Sequence, residues 1–322
     1  MRLDANKKIL GIKAETTRGT AITVTTADCY ECWDLDVSLE PQVKDYSILQ
    51  NSLTRPLAGL IMGAIYGTIT CKMYAIVGQS TAQAASITAM TRIWNACGLS
   101  QQAESTVETI TPDDTANTSV SVLVNVDGRD RLFRGCSGNC QLVIAAGEVP
   151  YWDITLTGVY TGMSETAALV PNTLYAPTKS IYSSVNAMSL ADGAGSPVSM
   201  LACWKSITLD PGYAVAPLLD LGALQGVKYF SRVGNPAPKV NFTCYKFRDA
   251  ANSSQYDAEA DAAFRLNQTC TLAIATSSMI AATGKLISLN MVEDNGWVAW
   301  EGVLDLRGAA EAEWKITIEN AA

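Results

Sequence analysis

Histidine is absent from this sequence of 322 residues. Its absence excludes Ser-His-Asp and Cys-His catalysis, histidine-ligated metals and imidazole pH switches. Long hydrophobic runs are also missing, since no stretch approaches the ~20 uninterrupted apolar residues that a membrane-spanning helix needs. The N-terminal segment MRLDANKKILGIKAE carries charges within its only apolar run, unlike a secretory signal. We therefore expect a soluble protein that is made in a cytoplasm.

Basic charge is scarce. The chain has 23 Lys and Arg against 31 Asp and Glu, a formal net charge of −8. A net acidic surface gains no affinity for nucleic acid from counterion release, so sequence-specific DNA binding is not expected. An acidic wall along which DNA slides without sticking is compatible with this charge. The length favours two domains of ordinary size.

Alternation of apolar and polar residues predicts a mainly β chain. The segment 120–126 and the segment that begins at 129 flank Asp127-Gly128, a turn dipeptide typical of a β-hairpin. Two more strands are predicted within 140–160, and the last strand is predicted at 314–320. These strands indicate a β-barrel or a β-sandwich.

Two segments have the pattern of a helix. In 84–97 the apolar residues fall on one face, and Gly98 provides a stop at the C-terminal end. In 257–267 Asp257 provides an N-cap. The sequence therefore predicts one helix beside the strands of each half.

The two halves of the chain share an order of motifs. Each half has a strand, a long loop, a strand with Thr-Cys, a helix, a hairpin and a strand that ends in Leu-x-Gly. The matching segments are 37–41 and 207–211, 69–74 and 242–247, and 154–158 and 304–308. We interpret this as an internal duplication, with domains at 1–165 and 199–322 and a connector at 166–198 that includes a short strand within 180–190.

Cysteines provide the strongest metal-like motif. Cys29-x-x-Cys32 together with Cys136-x-x-x-Cys140 has the ligand types of a four-cysteine zinc site. However, an offset of three residues on a strand sends two side chains to opposite faces. Buried, reduced cysteines that pack as small hydrophobic residues are the favoured interpretation.

Other sequence features do not indicate an active site. The carboxylate groups around Asp34 and Asp113 have no predicted cleft, and the glycines of 61–70 are not followed by the Lys-Ser/Thr of a phosphate loop. The segment 227–239 combines aromatic and basic residues, which suits a nucleic-acid stacking platform or, better, a contact with another subunit. We predict neither an enzyme nor a cofactor or metal site.

Four segments together resemble the major tail tube proteins of long-tailed (siphovirus-type) bacteriophages, in a two-domain version. The similarity covers nearly the whole chain and is poorest at 78–90. The segments are KAETTRGTAIT (13–23), RPLAG (55–59), VDGRDRLFRGCSGNCQLVIAAGEVPYWDITLTGVY (126–160) and VKYFSRVGNPAPKVNFT (227–243).

The resemblance implies a structural virion protein with one flanking helix per β-domain. Such subunits form rings that stack into the tail tube, through which DNA is delivered without specific binding. Two domains per chain imply homotrimeric rings with pseudo-sixfold symmetry, the alternative being hexameric rings. The implied partners are the tape measure protein, the tail terminator and the distal tail proteins, with no membrane. The implied location is the virion tail, after assembly in the bacterial host cytoplasm.

The long loops at 42–62 and 211–239 are expected to be arms that contact the next subunit or ring. Acids on polar strand faces are expected to line the channel or, equally, to be solvated outside it. The candidate arm residues are Lys44, Asp45, Tyr46, Arg55, Pro56, Tyr213, Tyr229, Phe230 and Arg232. The candidate channel acids are Asp153, Asp305 and Glu319.

Two other classes of protein fit parts of the sequence. One is a different phage structural protein, such as a tail terminator or a head decoration protein, although terminators usually have a single domain. The other is a carbohydrate-binding β-sandwich, which the 7 Trp and 12 Tyr allow. The two long arms favour the tube protein over both.

Overall fold

A computed structural model describes the chain over most of its length. Within that part the protein is mainly β, with one α-helix, and no helix is long and apolar enough to cross a membrane. The described residues are 8–30, 32–48, 57–75, 84–103, 107–113, 118–146, 148, 150–165, 188–191, 197–200, 204–223, 226–245, 269–274, 278–307 and 314–319.

In the described residues of the first half there are nine strands and the helix α1 (Ala84–Ala96). The strands are β1 (Lys8–Ala14), β2 (Cys29–Tyr30), β3 (Trp33–Ile48), β4 (Leu57–Tyr74), β5 (Leu99–Ala103), β6 (Val107–Pro112), β7 (Val120–Val126), β8 (Arg129–Ala145) and β9 (Tyr151–Glu165). A short 3-10 helix at Thr26–Asp28 precedes β2.

Ten strands are described in the second half. They are β10 (Met188–Ala191), β11 (Pro197–Met200), β12 (Trp204–Asp210), β13 (Ala214–Leu219), β14 (Val227–Val233), β15 (Lys239–Tyr245), β16 (Thr269–Ile274), β17 (Ser278–Asp294), β18 (Trp297–Asp305) and β19 (Trp314–Glu319). Of the short strand expected at 180–190, residues 188–190 are confirmed as part of β10, and residues 180–187 lie outside the described residues. The helix predicted at 257–267 lies outside the described residues, and so does most of the connector.

The first half forms the antiparallel order β3–β4–β9–β8–β7–β1–β2. The hairpin predicted between β7 and β8 is confirmed. Asp127 and Gly128 have φ angles of 48° and 86°, as a two-residue type I′ turn requires.

The alternation predicted for β9 is confirmed, because Trp152, Ile154 and Leu156 are all buried. The predicted end of this strand at 154–158 is wrong. Gly158 stays paired with Gly67 of β4, and β9 continues to Glu165. A Cβ on Gly158 would lie 2.2 Å from the Cys136 Sγ, so this glycine marks the close approach of a neighbouring side chain and not a strand end.

The helix predicted at 84–97 is confirmed as α1. It ends before Gly98, whose φ of 82° is the left-handed conformation that commonly terminates helices. Met90, Trp94 and Cys97 are buried, and the Trp94 ring packs edge-on against Trp152 with centroids 5.6 Å apart. The helix therefore covers one face of the first-half sheet.

The two predicted long loops are mostly strand, so that part of the prediction is wrong. Residues 43–48 pair with 57–62 as the outer part of the β3–β4 hairpin. Residues 214–219 and 227–233 form the separate β13–β14 hairpin. Both segments are long because each is a β-hairpin that extends beyond the ladder of its half.

The second half repeats the strand order of the first. Its antiparallel order β12–β15–β18–β17 corresponds to β3–β4–β9–β8. The registers also correspond: Val37 pairs with Ile69, two residues before Cys71, and Ile207 pairs with Phe242, two residues before Cys244. The matching segments 37–41 and 207–211 therefore occupy equivalent positions.

The β-bulges of the two ladders lie at corresponding positions. β3 carries a one-residue bulge after Trp33, and β12 carries one after Trp204. β8 carries an extra residue between Arg134 and Ser137, and β17 carries one at Ile287. Because bulges redirect strands and are structural features rather than defects, their recurrence strengthens the equivalence of the two halves.

The halves are joined within one continuous sheet. β12 of the second half pairs with the C-terminal part of β8, from Leu209 opposite Leu142 to Ser206 opposite Ala145. β19 also pairs with β6. The main hydrophobic core accordingly includes buried residues of both halves.

Candidate assembly surfaces

The β13–β14 hairpin, here called the second arm, lies against the first half of its own chain. Phe230 is buried and packs edge-on against Tyr66 of β4, with ring centroids 5.1 Å apart. The Ser137 hydroxyl donates to the Phe230 carbonyl at 3.0 Å. Two candidate arm residues, Tyr229 and Phe230, therefore contact the same chain.

The base of the second arm is fixed beside the C-terminal end of α1. The Tyr213 hydroxyl donates to the Gly98 carbonyl at 3.1 Å. The guanidinium of Arg232 lies 4.9 Å from the centre of the Tyr213 ring and donates to the Asp113 carbonyl at 3.3 Å. Tyr213 and Arg232 thus hold the arm to the first half rather than extending into solvent.

The second arm lies on a surface of the first half, here called the seat, that is formed by the loop 15–19 and by the β8 bulge near Gly135. A buried carboxylate binds these two segments together. Glu15 accepts hydrogen bonds from the Gly19 amide at 2.7 Å, the Gly135 amide at 2.8 Å and the Ser121 hydroxyl at 2.9 Å. The Ser119 hydroxyl also donates to it. Multiple donors are what a buried carboxylate needs. The Glu-Thr-Thr-Arg-Gly segment is therefore a folded loop attached to β7 and β8.

Two glycines of this seat leave room for Tyr229. A Cβ on Gly19 would lie 2.3 Å from the Lys228 carbonyl oxygen, and one on Gly135 would lie 2.6 Å from the Tyr229 Cβ. Both glycines also have positive φ angles, 75° and 59°. Arg18 lies over the Tyr229 ring at 4.4 Å. The loop, the β8 bulge and the arm therefore fit together through close backbone contact.

Arg134 links the loop to the arm directly. Its guanidinium donates to the Gly19 carbonyl at 2.6 Å and to the Val227 carbonyl at 3.4 Å. Glu15, Gly19, Arg134 and Gly135 lie within the segments that resemble tail tube proteins, but their sequence context predicts no role for them. Their partners are about a hundred residues distant, which no local pattern reveals.

The outer hairpin of the first half is here called the first arm, residues 42–62. Lys44, Asp45 and Tyr46 lie in β3 opposite β4, and nothing is described of their side chains. Arg55 and Pro56 lie outside the described residues. Whether these five residues contact another subunit stays a prediction.

One edge of β3 pairs with no other strand in the described part of the chain, and its Leu35 carbonyl accepts a hydrogen bond from the Lys8 ammonium at 2.7 Å. Residues 33–41 form a ladder with β4 on one side only. By contrast, the equivalent strand β12 pairs on both sides, with β15 and with β8. An edge strand of this length presents unpaired amide and carbonyl groups that another strand can join.

Large apolar side chains are exposed at two hairpin ends. At the tip of the second arm Leu219 is 72% exposed and Leu221 is fully exposed. At the β17–β18 hairpin Trp297 is 69% and Met291 57% exposed. Met291 pairs with Trp300 and Trp297 pairs with Asp294, so the Met291 and Trp297 side chains lie on opposite faces of their hairpin and do not form one apolar patch.

The candidate channel acids have different surroundings. Asp305 is buried and ion-paired with Arg307, whose hydrogen bonds lower the pKa of the Asp305 carboxyl despite burial. Asp153 is half-buried on β9 opposite Lys72 of β4. Glu319 lies in β19, and its side chain is not described. Asp305 is thus matched within its own chain.

The cysteines considered as a zinc site do not gather at one point. The neighbouring Cys32 thiol and burial raise the pKa of Cys71, and burial and the neighbouring Cys97 thiol raise the pKa of Cys140. The Cys29 thiol donates instead to the Thr25 carbonyl at 3.4 Å. Among the described residues no group of three or more Cys, Asp or Glu is placed to hold a metal ion.

A buried ion cluster attaches α1 to β1. Asp28 is 5% exposed and lies 3.2 Å from the Lys13 ammonium and 2.9 Å from the Arg92 guanidinium. Burial alone would raise the pKa of Asp28. Hydrogen bonds from Thr25 and the two cations outweigh it and lower that pKa to about 2.

Comparison with known proteins identifies no relative. No protein-family model matches this chain, and a search of curated proteins finds no significant match. The function must therefore be inferred from three features of the fold. These are the two ladders with the same strand order, the pairing of β8 with β12 that joins them, and the edge of β3 that pairs with no other described strand.

Proposed function

We propose that this chain is a structural subunit that polymerises into stacked rings, the tail tube of a long-tailed bacteriophage. The observation that carries the proposal is the joint between β8 and β12. It connects one module of repeated strand order to the next, edge to edge, within a single chain. The segments quoted above for their resemblance to tail tube proteins support the same conclusion.

The pairing of β8 with β12 inside the chain indicates how two chains would pair with each other. β12 is bordered by β15 and by β8, whereas its counterpart β3 is bordered only by β4. The counterpart of β8 is β17. We propose that β17 of a second copy pairs with the free edge of β3. Such a head-to-tail contact uses two different surfaces and closes into a ring when its rotation allows.

Two equivalent modules per chain set the proposed copy number. Three chains give six modules, so a trimeric ring has pseudo-sixfold symmetry. Six chains are the alternative. The second arm occupies a seat on its own first half, so we propose that the first arm occupies the corresponding seat on the neighbouring copy or ring.

The proposed channel carries DNA without binding it. The formal net charge of −8 supports this role, because a net acidic surface does not attract phosphates. Asp153 remains a candidate for the channel wall. Asp305 is a weaker candidate, because its charge is matched by Arg307.

Electron microscopy and native mass measurement of the purified protein test the proposal. We expect annular particles whose mass is three chains, and tubes at higher concentration. A single chain that remains a monomer at high concentration, without rings, would refute the function.

Engineered cysteines test the joint at residue level. In the intrachain joint Leu209 faces Leu142, and the registers make Leu39 and Glu293 their counterparts. Under mild oxidation the double variant Leu39→Cys/Glu293→Cys should give covalent multimers that end at the trimer. Leu39→Cys alone is the control. If the double variant forms rings but no cross-links, the proposed pairing of β3 with β17 is wrong, whereas the proposal that the chain forms rings stands.

Deletion of 44–56 tests the first arm. Val43 pairs with Met62, so residues 57–61 can form the shortened turn without disturbing the inner ladder. We expect folded rings that no longer stack into tubes. Normal tubes from the deletion variant would show that the first arm does not connect rings.

A further inference from the structure

A hydrogen bond between two side chains accompanies the pairing of β8 with β12. The Asn139 amide group of β8 donates to the Asp210 carboxylate of β12 at 2.7 Å. The same carboxylate accepts from the Gly212 amide at 2.8 Å, at the point where the second arm begins. Both side chains lie just beyond the last paired residues, Leu209 and Leu142, on the face of the sheet opposite these two buried leucines. The hydrogen bond therefore marks one end of the pairing inside the chain.

The donor of this hydrogen bond recurs at the equivalent position of β17. The ladders link Cys140 of β8 through β9 to Cys71, and they link Met291 of β17 through β18 to Cys244. Cys140 and Met291 are therefore equivalent, since Cys71 and Cys244 are. An asparagine precedes each of them, and in β17 this residue is Asn290.

The acceptor recurs in β3. The segments Leu-Glu-Pro (39–41) and Leu-Asp-Pro (209–211) occupy equivalent positions, so Glu40 corresponds to Asp210. Leu39 is 36% exposed, whereas its equivalent Leu209 is fully buried against the paired strand. Glu40 and Asn290 are both exposed. The single chain therefore leaves uncovered at β3 what it covers at β12.

The strand β17 has a free edge in the position where β8 accepts β12. At Lys285 this strand pairs with β18 on one side and with β16 on the other, and the pairing with β16 ends there. Within the described residues, 286–294 pair on the β18 side alone, and Asn290 lies in the middle of this edge. Both the donor and the acceptor thus lie on strand edges that can accept a further strand.

We propose that the Asn290 amide of one copy donates a hydrogen bond to the Glu40 carboxylate of the next copy. This contact rests on the proposed function, and it names a polar partner for each of the two edges. A slip of one residue between β3 and β17 would turn Glu40 to the opposite face, so the contact selects one register. Asn290 also pairs with Glu301 of its own β18, so a neutral amide separates the two carboxylates.

A double-mutant cycle on the full chain tests this contact. Sedimentation velocity gives the concentration at which half of the rings dissociate, for the wild type, Glu40→Ala, Asn290→Ala and the double variant. Each single substitution should raise this concentration roughly tenfold, because a hydrogen bond to a charged group is lost. The double variant should dissociate no more readily than either single variant, because the second substitution has no remaining contact to remove.

The matched control is Asp36→Ala, since Asp36 is an exposed acid on the same face of the same strand. Its effect should simply add to that of Asn290→Ala, and circular dichroism establishes that every variant is folded. Additive effects of Glu40→Ala and Asn290→Ala in a chain that still forms rings would overturn this contact and leave the ring proposal standing. A wild-type chain without rings would instead refute the proposed function, and the contact with it.

Discussion

Replacing Asp28 by asparagine tests how much the buried ion cluster stabilises the fold. The substitution keeps the shape of the side chain and removes its charge. Asp28 is nearly inaccessible to solvent and lies between Lys13 and Arg92. Arg92 also donates to the Ile12 carbonyl at 2.7 Å, so the cluster connects α1, β1 and the 3-10 helix.

The shifted pKa of Asp28 sets the size of the effect. This pKa is about 2 in the folded chain, against an ordinary value of 3.8. Each pKa unit corresponds to about 1.4 kcal/mol, so the shift contributes roughly 2 kcal/mol to folding at neutral pH. Because the folded pKa is the lower one, this contribution is complete above a pH of about 4 and is lost as the pH falls toward 2.

Urea unfolding followed by tryptophan fluorescence measures both quantities. At pH 7 we expect Asp28→Asn to lower the free energy of unfolding by about 2 kcal/mol. Between pH 4 and 2.5 the variant should also lose less stability than the wild type. The control is Asp34→Asn, which breaks the exposed 2.8 Å pair with Lys72 and should cost under ~1 kcal/mol. Equal losses for the two variants, or an unchanged acid profile for Asp28→Asn, would refute this reasoning.

Two further substitutions test close packing and the base of the second arm. Gly67→Ala would place a Cβ 2.1 Å from the Phe133 ring and should lower stability by ~1–3 kcal/mol, measured by urea unfolding. Gly222→Ala, whose Cβ meets nothing nearer than 3.4 Å, is its control, and an equal loss there would contradict the packing argument. Tyr213→Phe removes the donor to the Gly98 carbonyl and should cost about 1 kcal/mol in thermal unfolding; no change in Tm would show that this bond contributes nothing.

Local sequence signals predicted the regular parts of the fold. Asp127-Gly128 defined a hairpin because a type I′ turn needs two residues that tolerate positive φ. Gly98 correctly predicted the end of α1 because the residue after a helix commonly adopts a positive φ, which glycine tolerates. The period-2 pattern of β9 identified its buried face because successive side chains of a strand point to opposite faces of the sheet.

Other parts depend on contacts that lie far apart in the sequence. The sequence predicts a loop at 42–62 because this segment is long, largely polar and contains Gly and Pro, whereas the pairing of 43–48 with 57–62 makes both of these segments strands. The role of Glu15 depends on donors from β7 and β8, more than a hundred residues away. The repeat was visible in the order of motifs, whereas the joint between β8 and β12 needed a register that no motif encodes.

The division of β8 between two partners has a consequence for folding. Its N-terminal part pairs with β7 across a two-residue turn, and its C-terminal part pairs with β12, more than 60 residues further along the chain. Contacts of short sequence separation form sooner than distant ones. During synthesis from the N-terminus, we expect β7, β8 and β9 to be assembled before β12 is complete. The earlier strands then offer the later ones a ready-made template, so that the first module guides the second into register.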